Sequence, residues 1–342
     1  MSDSYFCLNI SDNFIKLVDA KKNGEQLDIS QIAYSIGVPL FYSTESEKTN
    51  TDQSQIIKKL IELQKITKKN VNVLIPDNVT YSQILEMPRL NEKELISAIK
   101  YQADQFIPMP IEETNIDIEI LFENEITKTI LVLMVAAPKN IINRIQNTVE
   151  LSGLIPNYIE NELSAVSRLF IEFSKKIQSN QNNFLIINTG FDSSSIYYYD
   201  KTKGLIINNH TFPIGINLFT KEIQINSNID QSKSYDVLAT YSPQQQSSIS
   251  VETIIAPLIK EYNNEIRKFN NLISEKTGNT INQIYFINDI SRFPSLPQFV
   301  QKDLQITSGI FDFKPFIKSS TILDKYINNM PFFISTIGGN LR

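Results

Sequence analysis

Residues 5–20 read YFCLNISDNFIKLVDA, two apolar runs at 5–10 and 14–18 parted by Ser11, Asp12 and Asn13. Strand-length apolar runs on either side of a short polar turn signal a β-hairpin. A third extended run follows at 27–36. Residues 43–53 contain nothing apolar and are expected to form a mobile loop. Ile56, Ile57, Leu60, Ile61 and Leu63 then recur at helical spacing, and Lys65, Lys68 and Lys69 lie near the helix end where cations suit its dipole. Residues 71–75 read as a further strand. The same order returns later: a strand at 184–187, a turn at 189–192, strands at 194–199 and 204–212, and a helix from 216 to about 225. Two copies of strand, polar turn, strand, strand and helix suggest an internal duplication, although three-stranded meanders are common enough to give the same pattern independently.

The chain has 342 residues, 42% of them hydrophobic and 20% charged, which suits about two to three folding units. Thirty-two basic against 37 acidic residues leave a net charge of −5, so nothing marks a chain-wide nucleic-acid surface. A single cysteine, Cys7, excludes an intrachain disulfide, and with a single histidine, His210, most zinc and triad chemistry goes too. Both are expected to be structural. The start of the chain has no basic segment leading into an apolar run, and the longest apolar stretch, 130–138, is strand-sized. A soluble intracellular protein without a membrane span is expected. Composition is skewed toward 54 Ile and 34 Asn against 10 Gly, as an AT-rich genome favours.

Between the two copies lies a segment with its own pattern. Asn91 can cap a helix with Glu94 three residues on, Leu95, Ile96, Ala98, Ile99, Ala103 and Phe106 supply its buried face, and Pro108 and Pro110 stop it. Ile116, Ile118, Ile120 and Phe122 alternate as a half-exposed strand, 129–137 reads as a central strand, and a helix from 139 to 152 ends at Gly153. Farther on, helices are expected at 232–240 and 251–274, a strand at 283–287 and a helix at 296–304. Only 244–246, three glutamines, has low complexity.

Short turns between antiparallel strands hold phosphates where glycine and small polar residues let backbone N–H groups converge beside a carboxylate for Mg²⁺. Here two such turns occur, one per copy. The chain resembles the actin/Hsp70/sugar-kinase superfamily, and within it the type IV pilus assembly family PilM, related to FtsA. Residues 6–19, FCLNISDNFIKLVD, match that family's first phosphate hairpin, and 184–192, FLIINTGFD, its second. Residues 101–113, YQADQFIPMPIEE, give the most specific match, and 135–139, Gly153-Leu154, 159–162 and the GGNLR of 338–342 follow in family order. The resemblance implies an α/β, two-lobed actin-like (ribonuclease H-like) fold around a cleft, with an inserted α+β (SHS2-like) subdomain. The expected division is 1–80 with 156–181 as lobe 1, 81–155 as the insert, and 182–342 as lobe 2 with a helical part near 226–280.

ATP and Mg²⁺ are the ligands the resemblance implies, and the departures fall on their motifs. The family's Asp-x-Gly is Asn9-Ile10-Ser11 in the first hairpin and Asn188-Thr189-Gly190 in the second, and its Gly-Gly adenosine turn is Asn288-Asp289. An amide lacks the charge that holds a metal's hydration shell, and a side chain in place of glycine obstructs close backbone approach. A degenerate site is therefore expected at Asn9, Ser11, Asp12, Asn13, Lys16, Asn188, Gly190, Gly215, Asn288 and Asp289, with no metal ligand assigned. Lys16 reads as a phosphate partner or as an ordinary lysine of an exposed strand, and Asn9 and Asn188 as weakened metal-shell residues or as ties holding the turns. Gly190 and Gly215 suit backbone geometry. Glu162 reads as an acidic family position or as a solvated charge at a helix start, and the face of Tyr101 and Phe106 as core.

The resemblance implies a cytoplasmic scaffold of a type IV pilus or related secretion machine, peripheral at the inner membrane. Its expected partners are the short tail of a PilN-like protein, seated between lobe 1 and the insert, and other pilus components. An active Mg²⁺-dependent ATPase is the rival expectation. A filament protein like FtsA or MreB is a third, although the chain ends at Arg342 without an amphipathic anchor.

Overall fold

The first hairpin pairs β1 (Tyr5–Ile10) antiparallel with β2 (Phe14–Asn23), Asn9 lying opposite Lys16. The computed structural model describes residues 5–180, 183–243, 250–320 and 322–342. After the hairpin come β3 (Gln26–Ile36), α1 (Glu47–Leu63), β4 (Asn70–Ile75), β5 (Tyr81–Pro88), α2 (Glu92–Phe106), β6 (Thr114–Asn124), β7 (Thr129–Pro138), α3 (Lys139–Leu151), β8 (Ile155–Asn161) and α4 (Glu162–Glu172). One sheet runs β3-β2-β1-β4-β8, with β1, β4 and β8 mutually parallel. Alternation along β1 sends Phe6, Leu8 and Ile10 into a core that includes Ile57, Leu60, Ile145 and Val149 from α1 and α3. Cys7 points to the other face, where it packs with Leu74 and Ala165.

The expected insert folds as a three-stranded antiparallel sheet, β5-β7-β6. One of its faces, with Ile130, Val132, Met134 and Ala136, packs on Leu95, Ile99 and Ala103 of α2. The capping box foreseen for Asn91 and Glu94 is present in both directions. Tyr101 departs from the expectation of a core residue: it is 65% exposed, while Phe106 is half-buried. Residues 107–113 serve to stop α2 and turn the chain into β6, held by a hydrogen bond from Lys139 Nζ to the Glu112 carbonyl. The side chain of Ile96 and the glutamines at 244–246 lie outside the described residues.

Contrary to the expected loop at 43–53, α1 begins at Glu47. Ser46 caps it by accepting from Thr49 N, buried Gln53 accepts from Val38 N at 2.7 Å, and Arg144 of α3 donates to Asn50, Thr49 and the Thr44 carbonyl while lying 4.1 Å above the Phe41 ring. Polar anchoring takes the place of an apolar stripe there.

The rest of the chain comprises α5 (Ser174–Asn180), β9 (Phe184–Thr189), β10 (Ser194–Asp200), β11 (Leu205–Phe212), α6 (Ile216–Ser227), α7 (Gln231–Thr240), α8 (Val251–Thr277), β12 (Gln283–Asn288), α9 (Leu296–Leu304), β13 (Thr307–Ile310) and α10 (Ile334–Gly338). Its sheet, β11-β10-β9-β12-β13, repeats the strand order and directions of the first: an antiparallel meander whose first strand continues into two parallel neighbours. The duplication read from the sequence is therefore present in the sheets. Chain contacts define two units, one holding the chain up to Phe173 with Lys318–Leu323 and Ser335–Arg342, the other Ser174–Ile317 with Asp324–Ile334. This differs from the division expected at 156–181 and 182–342, because the last residues return to the first sheet.

That return requires two glycines. A Cβ on Gly338 would overlap the Ala165 carbonyl and one on Gly339 would overlap Cys7 Sγ. Asn72 donates to the Gly339 carbonyl at 3.0 Å, Ala20 N to Asn340 Oδ1 at 3.2 Å, and Tyr5 Oη to the carbonyls of Asn340 and Arg342. Burial, then the Glu160 charge, pushes the Cys7 thiol well above its usual range, so it is inert packing. Gly339→Ala is expected to lower stability by about 1–3 kcal/mol in urea unfolding, and adding Cys7→Ala, which removes the obstructing sulfur, to recover most of the loss.

Candidate functional site

Each unit carries one of the expected half-sites. In the first, Asn9 is fully buried near the end of β1, and its Nδ2 donates to Glu162 Oε1 at 2.6 Å and to Ser335 Oγ at 3.2 Å. Ser335 Oγ in turn donates to Glu162 Oε1 at 3.1 Å. Glu162 opens α4, whose N-terminus is capped by Asn161 and by Asp77 accepting from Leu163 N. It is 6% exposed, so the solvated helix-start charge does not describe it. Sequence reading missed this contact because 153 residues separate the partners.

Around the turn, Ser11 spends its N–H on the Phe14 carbonyl and its hydroxyl on the same residue. Asp12 is buried and Asn13 half-buried. Lys16 is 1% exposed, which overturns the exposed-strand reading, and strand register places it between Asn9 on β1 and Tyr34 on β3. A buried ammonium is tolerable only with polar partners, so Lys16 belongs to the internal polar structure of this half-site.

In the second unit, β9 and β12 run parallel and bring Asn188 and Asn288 to neighbouring positions. Asn288 Nδ2 donates to Asn188 Oδ1 at 2.5 Å, and Asn188 Nδ2 donates to Tyr197 Oη at 2.9 Å. Asn288 has φ 60° and ψ −123°, the glycine position of a tight turn. An asparagine there costs about 1–3 kcal/mol of backbone strain. Asp289 follows it, 2% exposed.

The two retained glycines have steric reasons. A Cβ on Gly190 would lie 2.8 Å from the Ser193 carbonyl oxygen and one on Gly215 2.6 Å from Ser193 N. Their absence lets α6 dock on the 190–193 turn, where Ile216 N and Asn217 N donate to the carbonyls of Gly190 and Phe191 and Asn217 Nδ2 to Asp192 Oδ1. Those helix-start donors are thereby committed to the turn.

Against this geometry, Mg²⁺ with ATP is a poor fit. Magnesium wants hard anionic oxygens, yet both expected carboxylates are amides engaged with neighbours, and among the described residues no group of three acidic, histidine or cysteine side chains converges. One acceptor does stay open: the buried Asn9 Oδ1 has no hydrogen-bond partner.

A separate feature lies within the first unit. The face of the β5-β7-β6 sheet turned away from α2 carries Leu133, Val135, Asp117 and Glu119, and it forms a groove with Ile159 and Glu160 of β8 and with Arg342. Glu160 is pinned from both sides, by Arg168 at 2.6 Å and Arg342 at 3.0 Å. For Arg168, burial lowers the pKa but the paired hydrogen bond to Glu160 outweighs it and the net shift is upward. Arg342 also lies 4.1 Å above the Tyr158 ring.

Two sheets of one strand order, each with an acidic-type hairpin position at the end of its first strand, define an actin-like, two-lobed α/β fold. The family model described as "Type IV pilus assembly protein PilM" matches residues 7–338, and the chain belongs to that family. A solved structure described as a PilM-PilN type IV pilus biogenesis complex aligns with a TM-score of 0.85 at 17% identity, covering 99% of this chain and 98% of that one. The ethanolamine utilization protein EutJ from Carboxydothermus hydrogenoformans aligns at a TM-score of 0.56 and 10% identity, over 98% of this chain and 88% of that one. At such identities both matches establish the fold. No helix among the described residues is long and apolar enough to cross a membrane.

Restoring the family carboxylate tests the first half-site. Asn9→Asp sets a carboxylate against Glu162 in place of a donor and should cost roughly 1–3 kcal/mol at pH 7. Crowded carboxylates raise the pair's folded pKa above the unfolded values. The deficit should therefore shrink as pH falls toward 4, measured by urea unfolding across that range.

Proposed function

We propose that this chain is a scaffold in type IV pilus assembly, or in a related secretion machine, that holds the short cytoplasmic tail of a PilN-like inner-membrane protein and needs no nucleotide turnover to do so. The observation that carries this reading is the groove of the first unit. Its walls combine an apolar strip, Leu133, Val135 and Ile159, with the carboxylates of Asp117 and Glu119. Such a surface suits a short extended segment with aliphatic side chains for the strip and polar or basic groups for the rim. The bidentate Arg168 and the Arg342 contact on Glu160 fix the floor, so little ordering is left for binding to bring about. Likeness to a solved PilM-PilN complex supports a PilN-like occupant. Through that tail the chain would sit at the inner face of the membrane.

The nucleotide positions support the same reading in a different way. Asn9 is tied to Glu162, and Asn188 to Asn288 and Tyr197, so these amides serve as internal fastenings. An ATPase reading has one observation in its favour: the buried Glu162 carboxylate keeps negative charge beside Asn9.

Isothermal titration with a synthetic peptide bearing an Asn-Leu-Leu-Pro segment tests the proposal. Binding in the micromolar range is expected, unchanged by ATP with Mg²⁺ and weakened at least about tenfold by Val135→Asp, a loss of about 1.4 kcal/mol or more. Absence of binding, or binding indifferent to Val135→Asp, contradicts it.

A further inference from the structure

The second unit contains a groove apart from both the nucleotide half-site and the tail groove. It lies between α8 and α9 and encloses about 930 Å³ open to solvent. Ile259 and Phe299, each 8% exposed, give it an apolar floor. Asn263 also lines it, 1% exposed, and neither its Nδ2 nor its Oδ1 has a hydrogen-bond partner. Buried polar groups in folded proteins are almost all paired, and each unpaired one costs about 1–3 kcal/mol. A carboxamide open at both ends at the base of a groove is a donor and an acceptor awaiting an acceptor and a donor. Because its terminal atoms are withdrawn from water, hydrogen bonds made there act in a low dielectric.

The rim sets the charge of the occupant. Lys302 pairs with Glu252 at 3.0 Å and Arg267 with Asp303 at 3.0 Å, so four of the rim charges cancel. Lys260 has no ion-pair partner among the described residues and leaves one available cation. A purine edge also matches a carboxamide, but its phosphates would call for several uncommitted cations.

We propose that this groove docks a peptide segment of a partner protein in which an apolar side chain adjoins a carboxylate. The segment's main-chain N–H and C=O pair with Asn263 Oδ1 and Nδ2, its apolar side chain covers Ile259 and Phe299, and its carboxylate meets Lys260. This site is independent of the tail groove, which belongs to the other unit.

The test uses the full chain and two fluorescein-labelled peptides with blocked ends, Gly-Leu-Asp-Leu-Gly and Gly-Leu-Lys-Leu-Gly, read by fluorescence anisotropy. The acidic peptide is expected to bind saturably with a Kd below about 1 mM, and the lysine peptide at least about tenfold more weakly. Asn263→Leu removes an unpartnered amide at similar volume, so it should fold with an unchanged or higher melting temperature. It should nevertheless weaken the acidic peptide at least about tenfold, as should Lys260→Glu. No saturable binding, equal binding of the two peptides, or binding indifferent to Asn263→Leu overturns the proposal. Displacement of the peptide by adenosine monophosphate, itself abolished by Asn263→Leu, would overturn it in favour of a nucleoside site.

Discussion

Close contact between backbone at 338–339 and the interior of the first sheet is the constraint on which the first unit's site depends. Without side chains at Gly338 and Gly339, the segment reaches the Ala165 carbonyl and the Cys7 sulfur. Hydrogen bonds from Asn72, Ala20 and Tyr5 then hold it across β4, β2 and β1. This docking delivers Ser335 to Asn9 and Glu162, and it delivers Arg342 to Glu160 in the tail groove. Two features of the site, an internal polar cluster and a binding surface, are thus assembled by one returning strand of chain.

The half-sites of the two units close by different chemistry. In the first, an amide donor faces a carboxylate, a charge-assisted hydrogen bond stronger than a neutral one. In the second, two amides and a tyrosine form a neutral chain, Asn288 to Asn188 to Tyr197. Asn288 keeps a backbone conformation that glycine adopts freely, and its side chain turns that position into part of the chain of bonds. The abundance of asparagine in this sequence therefore has a structural use where the family's metal-associated positions fall.

Elements whose cause is local could be read in advance. The hairpin at 5–18, the capping box of Asn91 and Glu94, and α9 with its bounds at Leu296 and Leu304 all declare themselves within a few residues. What escaped was caused from a distance. The first turns of α1 carry no apolar stripe and are held by Arg144, about a hundred residues on in the chain. Lys16 looked like a surface lysine because strand alternation does not reveal that both faces of β2 are covered. Glu162 and Ser335 became part of the first half-site only through pairings across 153 and 326 residues. The candidate positions were thus visible as residue types, and their partners were not.

The central claim is that both half-sites are closed by their own side chains and that the chain works as a scaffold. Thermal unfolding with and without 1 mM ATP and Mg²⁺, a concentration chosen about a hundredfold above a 10 µM affinity, tests it most directly, since binding of that strength adds about 2.7 kcal/mol to the folded state. The account predicts a melting temperature unchanged by nucleotide. A rise of several degrees that depends on Mg²⁺ would contradict it.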